Sequence, residues 1–374
     1  MFCSHFEAGR CGSCTLIRTP YERQVADKES HLRALLADFE LTWLAAVTSP
    51  QSGFRNKAKM VVTGTAQAPV LGILDHAGNG VDLHDCPLYA EPLQRVLQDL
   101  AGFITAANIA PYDLATRRGE LKYVLVTQSP ADQFMVRFVL RSQEPVTRIK
   151  KHLPVFLAEY PHVTAVSANI QPEHKAVLEG DLEIPLTKQE TLPMVLGDVT
   201  LHLRPQSFFQ TNTAVGAQMY AQAQDWIAYC KPGLVWDLFC GVGGFALHAA
   251  PVAERVVGVE ISAQAIESAK VSAAELGFPN VQFYAGDATA TPAGESERPD
   301  LIVVNPPRRG IGARLATWLE ESKVQTVIYS SCNARTLAKD LAAMPSLKPV
   351  SGRLLDMFPN TDHYEVMVLL KRAG

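Results

Sequence analysis

The chain has 374 residues, 47% of them hydrophobic and 19% charged, with a formal net charge of −4 at pH 7. That length is too great for one ordinary core and predicts two or three domains. The mild acidity excludes indiscriminate nucleic-acid binding but leaves room for a local basic face. With no apolar run approaching a membrane span and no secretory pattern in Met1-Phe2-Cys3-Ser4-His5, a cytoplasmic protein is expected.

Residues 1–20 read as an irregular segment that needs a metal to hold it. Of the seven cysteines, Cys3, Cys11, Cys14 and Cys86 group together, with Cys11-Gly12-Ser13-Cys14 a C-x-x-C pair and Pro87 directly after Cys86. An odd cysteine count in a chain expected to be cytoplasmic argues against a disulfide framework. Four thiolates suit zinc or an iron–sulfur cluster, and spacing alone does not choose. Residues 21–39 carry Leu32, Leu35, Leu36 and Phe39 at helical spacing. Strands are expected at 60–64 and 70–74, with Gly78-Asn79-Gly80 as a turn. A helix follows at 91–108, a hairpin from 123–128 and 134–140, a helix at 146–160 and a strand at 163–170. This is an α+β module. Arg55, Lys57 and Lys59 form a first basic cluster, Arg117, Arg118 and Lys122 a second, and Arg137, Arg141, Arg148, Lys150 and Lys151 a third. Each is also readable as ordinary solvated charge.

The pattern changes near 195–215. From there strands (234–238, 255–260, 281–284, 300–304, 325–330, 364–371) alternate with helices (244–250, 263–276, 312–321, 334–343). Such alternation predicts a mostly parallel doubly wound sheet, whose ligands sit at the carboxyl ends of the strands. The strand 234–238 runs into Phe239-Cys240-Gly241-Val242-Gly243-Gly244-Phe245-Ala246, a G-x-G-x-x-A turn that fits NAD or S-adenosylmethionine equally. Glu260 ends the next strand, where a carboxylate can accept both ribose hydroxyls, and Asp287 follows the third. Val303-Val304-Asn305-Pro306-Pro307-Arg308 separates the two readings. The prolines bias Asn305 toward extended geometry and hold its amide at the strand edge, an arrangement expected of nucleobase methyltransferases and not of NAD enzymes. Cys332 lies just past the carboxyl edge of the strand 325–330, and Glu365 lies in His363-Tyr364-Glu365.

Together with Phe54-Arg55-Asn56-Lys57 and Gln206-Ser207-Phe208-Phe209-Gln210-Thr211-Asn212, these motifs run along nearly the whole chain. It resembles the bacterial RNA uracil-C5 methyltransferases, and within them the members acting on 23S rRNA at uracil 747. Relatives carrying an additional N-terminal TRAM barrel differ, since here the cysteines begin at residue 3; no TRAM domain is expected. The resemblance implies a C-terminal Rossmann-like class I methyltransferase domain over 196–374. It implies a central α+β RNA-binding domain over 43–195, and an iron–sulfur segment within 1–90 that merges into it. It makes Cys332 the nucleophile and Glu365 the base. Gln210, Phe239, Glu260 and Asn305 become S-adenosylmethionine contacts, with Asp287 a weaker addition, and Cys3, Cys11, Cys14 and Cys86 become ligands of a [4Fe-4S] cluster with a structural role. Many relatives have Asp where this chain has Asn305, which orients but cannot act as a base. The implied partner is 23S rRNA, with no membrane and no obligate protein partner.

The chemistry explains why such groups are needed. Uracil C5 is a poor nucleophile until a thiolate adds at C6, and its proton must later be removed by a base. Cys240 is a rival nucleophile but belongs to the cofactor turn, and Cys230 is read as inert. An exocyclic-amine methyltransferase calls for an aromatic residue after Asn-Pro-Pro, where Arg308 stands. A non-catalytic RNA-binding iron–sulfur protein needs no thiol and carboxylate in one cleft.

Overall fold

The computed structural model describes residues 1–175, 177–289 and 298–373. The chain begins with a single helical turn, α1 (Ser4–Glu7), then helix α2 (Tyr21–Leu35) and the short strand β1 (Thr42–Trp43). Strands β2 (Lys57–Thr65), β3 (Ala68–Leu74) and β4 (Gly80–Asp82) precede helix α3 (Glu91–Ala106). Next come β5 (Leu121–Gln128), β6 (Phe134–Leu140), α4 (Val146–Glu159), β7 (Val163–Ile170) and β8 (Leu182–Pro185). Strands β9 (Leu192–Leu196) and β10 (Val199–Leu203) form a two-stranded sheet. The rest runs α5 (Thr213–Cys230), β11 (Leu234–Leu238), α6 (Gly244–Ala249), β12 (Arg255–Glu260), α7 (Ala263–Glu275) and β13 (Val281–Ala285). It ends with β14 (Leu301–Val304), α8 (Gly312–Glu321), β15 (Thr326–Ser331), α9 (Ala334–Ala342), β16 (Leu347–Leu355) and β17 (Glu365–Arg372).

Two compact units result. One comprises Met1–Cys14 and Gln51–Met194, the other Thr15–Pro50 and Val195–Gly374. In the first, a seven-stranded sheet of order β4-β3-β2-β5-β6-β7-β8 carries the core. Alternate residues of β2 (Ala58, Met60, Val62) turn inward, as a strand's period of two requires. Helix α3 buries Leu93, Val96, Leu97, Leu100, Phe103 and Ile104 at helical spacing. Phe103 meets Phe138 at 5.5 Å and Phe156 at 5.0 Å between ring centroids, which ties α3 to β6 and α4.

The second unit is built on an eight-stranded sheet of order β1-β16-β17-β15-β14-β11-β12-β13. Strands β11 to β15 are parallel to one another, and β17 runs antiparallel to both β15 and β16. The order reverses between β11 and β14, the switch point at which such sheets bind ligands. Strand β1 adds parallel to the far edge of β16 (Thr42↔Ser351). Helix α2 buries Leu32, and Leu36 just beyond it, in the same core as Trp236, Leu337 and Tyr364. Residues 43–50, counted at the sequence level with the central module, and the helix before them thus pack with the C-terminal unit.

Candidate active site

The sheet brings three widely separated segments to one edge. Val304 pairs with Tyr329 and Ser331 with Val366. One residue further along each register, Asn305 lies beside Ser330 and Cys332 opposite Glu365. The antiparallel sense of β17 is what matters here: it places the start of that strand, rather than its end, at the carboxyl edge of its neighbours.

Glu365 is 3% exposed. Its Oε1 accepts hydrogen bonds from Ser330 Oγ (2.8 Å) and Asn305 Nδ2 (3.1 Å). Burial pushes its carboxyl up to about 7, and these two donors hold it down against that effect. Asn305 also donates to the Ser330 carbonyl at 3.3 Å, so its amide is fixed from two sides. The Cys332 thiol is half-buried. Burial and the Glu365 charge raise its pKa, while the Arg308 guanidinium, hydrogen-bonded to it, opposes them. Asn333 caps α9 by accepting from the Arg335 N–H at 3.1 Å, so the sulfur sits just ahead of a helix N-terminus, where a thiolate is favoured. Cys240 is 6% exposed and burial drives its thiol well above the ordinary range, which disfavours a thiolate there.

The glycine turn is held open by backbone contacts. Phe239 adopts φ 68°, an outlier for a bulky residue, and its N–H and that of Cys240 both donate to the Val259 carbonyl at 3.0 Å. Glu260 accepts from the Gly241 N–H (3.2 Å) and the Ser262 N–H (3.0 Å), one on each oxygen, leaving a lone pair on each for further donors. A side chain on Gly241 would meet no atom within 4 Å, so this turn presents bare backbone to open space. Gly243 and Gly258 are required for a different reason: a Cβ would come within 2.9 and 2.5 Å of the Phe283 ring. Gln210 is buried against Gly216 of α5. Asp287 accepts from the N–H (2.9 Å) and Oγ1 (2.7 Å) of Thr289, a local turn.

Two motif residues had no role assigned from sequence. Asp237 is fully buried, and its Oδ2 accepts from the Ala246 N–H at 2.9 Å, pinning the first turn of α6. Burial raises its carboxyl to about 8. Asn212 caps α5 through Val215 N and donates to Ser49 Oγ at 2.7 Å. The Asp-Leu-Phe-Cys-Gly and Gln-Thr-Asn spellings were the available signals.

In the first unit the four N-terminal and central cysteines are free thiols that act on one another electrostatically. Burial, then Cys11 and Cys3, lift Cys14 to about 11; burial, with Cys14, Cys3 and Cys11 adding, lifts Cys86 to about 12. Among the described residues no group of three or more His, Cys, Asp or Glu side chains is arranged to hold a metal ion. Three arginines of the third basic cluster are spent on ion pairs. Arg137 is buried against Glu183 and Glu179, Arg141 pairs with Glu120, and Arg148 pairs with Glu144. Lys57 is held down to about 8 by burial, with Lys59 adding. No described helix is long and apolar enough to cross a membrane.

Residues 233–345, which contain the glycine turn and Cys332, match the family described as "Methyltransferase domain". The chain is 47% identical over 372 residues to the Yersinia enterocolitica protein named 23S rRNA (uracil(747)-C(5))-methyltransferase RlmC, with 99% of both covered. A Citrobacter koseri protein of the same name is 47% identical with all of both chains covered, and one from Escherichia coli O157:H7 is 48% identical over 99% of each. Among solved structures, the Pyrococcus abyssi tRNA (uracil-54, C5)-methyltransferase in complex with S-adenosyl-L-homocysteine superposes with a TM-score of 0.80 at 24% identity, covering 96% of this chain and 85% of that one, and shares the fold. With near-half identity sustained from end to end, the chain belongs to the 23S rRNA uracil-C5 methyltransferase family.

Proposed function

We propose that this chain methylates C5 of a uridine in 23S rRNA, uracil 747 being the base its relatives are named for, with S-adenosylmethionine as methyl donor. The observation that carries the reading is Cys332 and Glu365 meeting across antiparallel strands, with Asn305 fixed beside the carboxylate. The Cys332 thiolate adds to C6, and the electron pair of the C5–C6 double bond moves onto C5 and O4. C5 then takes the methyl group, the carbon–sulfur electron pair staying with the departing thioether. Glu365 accepts the C5 proton, the C5–C6 double bond re-forms, and the thiolate leaves. Atoms and charge balance with no redox partner. The base must be unstacked for this attack, so a single-stranded or flipped uridine is the substrate. Support for the cofactor roles comes from the bare backbone at Gly241 and the spare lone pairs on Glu260, with Phe239 directly after β11, Asn305 directly after the adjacent β14 and Asp287 after β13, while Gln210 takes its role from the family resemblance alone.

The test is trapping. Incubated with S-adenosylmethionine and RNA carrying 5-fluorouridine at the target, the protein forms a stable covalent adduct, because fluorine cannot leave as a proton. Cys332→Ala forms none. An adduct that persists in Cys332→Ala, or moves to Cys240, overturns the assignment.

The same reading assigns a [4Fe-4S] cluster to Cys3, Cys11, Cys14 and Cys86. It is supported by the donor set, four free thiols of which Cys3 and Cys11 act to raise Cys14 and, together with Cys14, Cys86, a repulsion that bound cations would relieve. Bound there it supplies a cross-link of the N-terminal segment and no electron. After anaerobic reconstitution, four iron and four sulfide per chain are expected, lost in Cys14→Ser. Stoichiometric zinc, or iron retained by that variant, refutes it.

A further inference from the structure

A cleft of about 450 Å³ opens beside Cys332, within the size range of ligand sites. Its walls are α2, through Gln24, Asp27, Lys28 and His31, and the segments Cys332–Arg335 and Asp362–Tyr364. None of Gln210, Phe239, Glu260, Asn305 or Asp287 lines it. The cleft therefore reaches the sulfur without including the proposed cofactor contacts.

Helix α2 is fastened there by directional polar contacts. Lys28 Nζ donates to Asp356 Oδ1 at 2.6 Å, with the two side chains 3% and 0% exposed. Tyr21 OH donates to the other oxygen at 2.8 Å, and the Asn360 N–H donates to Gln24 Oε1 at 2.8 Å. Buried charge of this kind fixes orientation more than it adds stability. One turn further, His31 Nδ1 shares a hydrogen bond of 2.8 Å with Tyr364 OH, leaving an exposed imidazole at the cleft.

The charges at the cleft are unequal. Asp27 is paired with Arg23 at 2.8 Å, and Asp362 has His363 at 3.8 Å. The exposed Arg335 guanidinium has no carboxylate partner among the described residues, and its charge acts on the buried Tyr364 hydroxyl. It projects from the first turn of the nine-residue α9, whose N-terminal field also favours an anion.

We propose that this cleft holds the nucleotide next to the target uridine, its base stacked on His31 and its phosphate against Arg335. The inference rests on the reading of the chain as an RNA uracil methyltransferase. A flipped uridine deprives its neighbour of a stacking partner, and an imidazole face replaces it; such stacks are worth about 1–3 kcal/mol per base.

The test compares a single-stranded RNA containing the target uridine with the same RNA made abasic at each flanking position in turn. Wild-type protein should show KM raised ~10-fold by one of the two abasic positions, with kcat changed by less than about twofold. His31→Gln, which can still hydrogen-bond Tyr364, should show that higher KM on intact RNA and no further rise on the abasic RNA. Arg335→Ala should raise KM on both RNAs and lower the slope of log affinity against log salt by about one. A wild type indifferent to both abasic sites, or His31→Gln and abasic effects that simply multiply, overturns the stacking site. An unchanged salt slope in Arg335→Ala overturns the phosphate contact. Failure of the wild type to methylate any uridine would instead overturn the function on which the inference rests.

Discussion

Replacing Glu365 with Gln separates the carboxylate's charge from its shape. The group is buried and its pKa rises from 4.5 to about 7. Below pH 4.5 both folded and unfolded forms are protonated and the burial carries no penalty. Between pH 4.5 and 7 the unfolded chain ionises while the folded one keeps its proton, so stability falls as pH rises, by about 3 kcal/mol in all, and the penalty is constant above that window. An amide of the same shape has no such term. The difference in unfolding free energy between Glu365→Gln and wild type should therefore grow by roughly that amount from pH 4.5 to 7.5, read from urea denaturation at a series of pH values. Asp237, also raised by burial, titrates in both proteins and cancels in the difference. The catalytic signature runs the other way. Wild-type turnover should climb through pH 7 as the base ionises, whereas Glu365→Gln should stall after methylation, with uridine RNA still attached to Cys332. A pH-independent stability difference would refute the buried-carboxylate argument, and normal turnover by Glu365→Gln would refute its role as base.

Asn305→Asp should place a second carboxylate where an amide now donates at 3.1 Å, raising the Glu365 pKa further and moving the rising limb of the pH–rate profile alkaline by at least about one unit; an acid shift would contradict the geometry. Lys28→Met should leave Asp356 buried without its cation and cost about 3–5 kcal/mol by chemical denaturation, and a loss under 1 kcal/mol would show that the pair is not truly buried.

Much of the second unit was legible because its signals are local. An apolar run followed by Gly-x-Gly, or by Asn-Pro-Pro, declares a strand and the turn that ends it within ten residues, and helix α8 falls on the expected 312–321. Strand β16 was missed: Lys348, Pro349, Ser351, Gly352 and Arg353 dilute its pattern, and a register shift at Pro349/Ser351 breaks its alternation. Helix α5 was missed too, since its buried residues spread around the helix without a narrow apolar stripe. The pairing of the third basic cluster was not legible. Glu120, Glu179 and Glu183, which meet Arg141 and Arg137, lie up to 46 residues from those arginines.

By itself the sequence determined which residues end strands, which backbone positions must be glycine, and which side chains can supply a thiol, a carboxylate and an amide. Those depend on neighbours a few residues away. Only the tertiary structure decided that Glu365 faces Cys332, because that follows from the antiparallel sense of one strand in a parallel sheet. It also decided that helix α2 walls the cleft beside the sulfur. That placement is set by Asp356 and Asn360, more than 300 residues along the chain, and no local pattern encodes it.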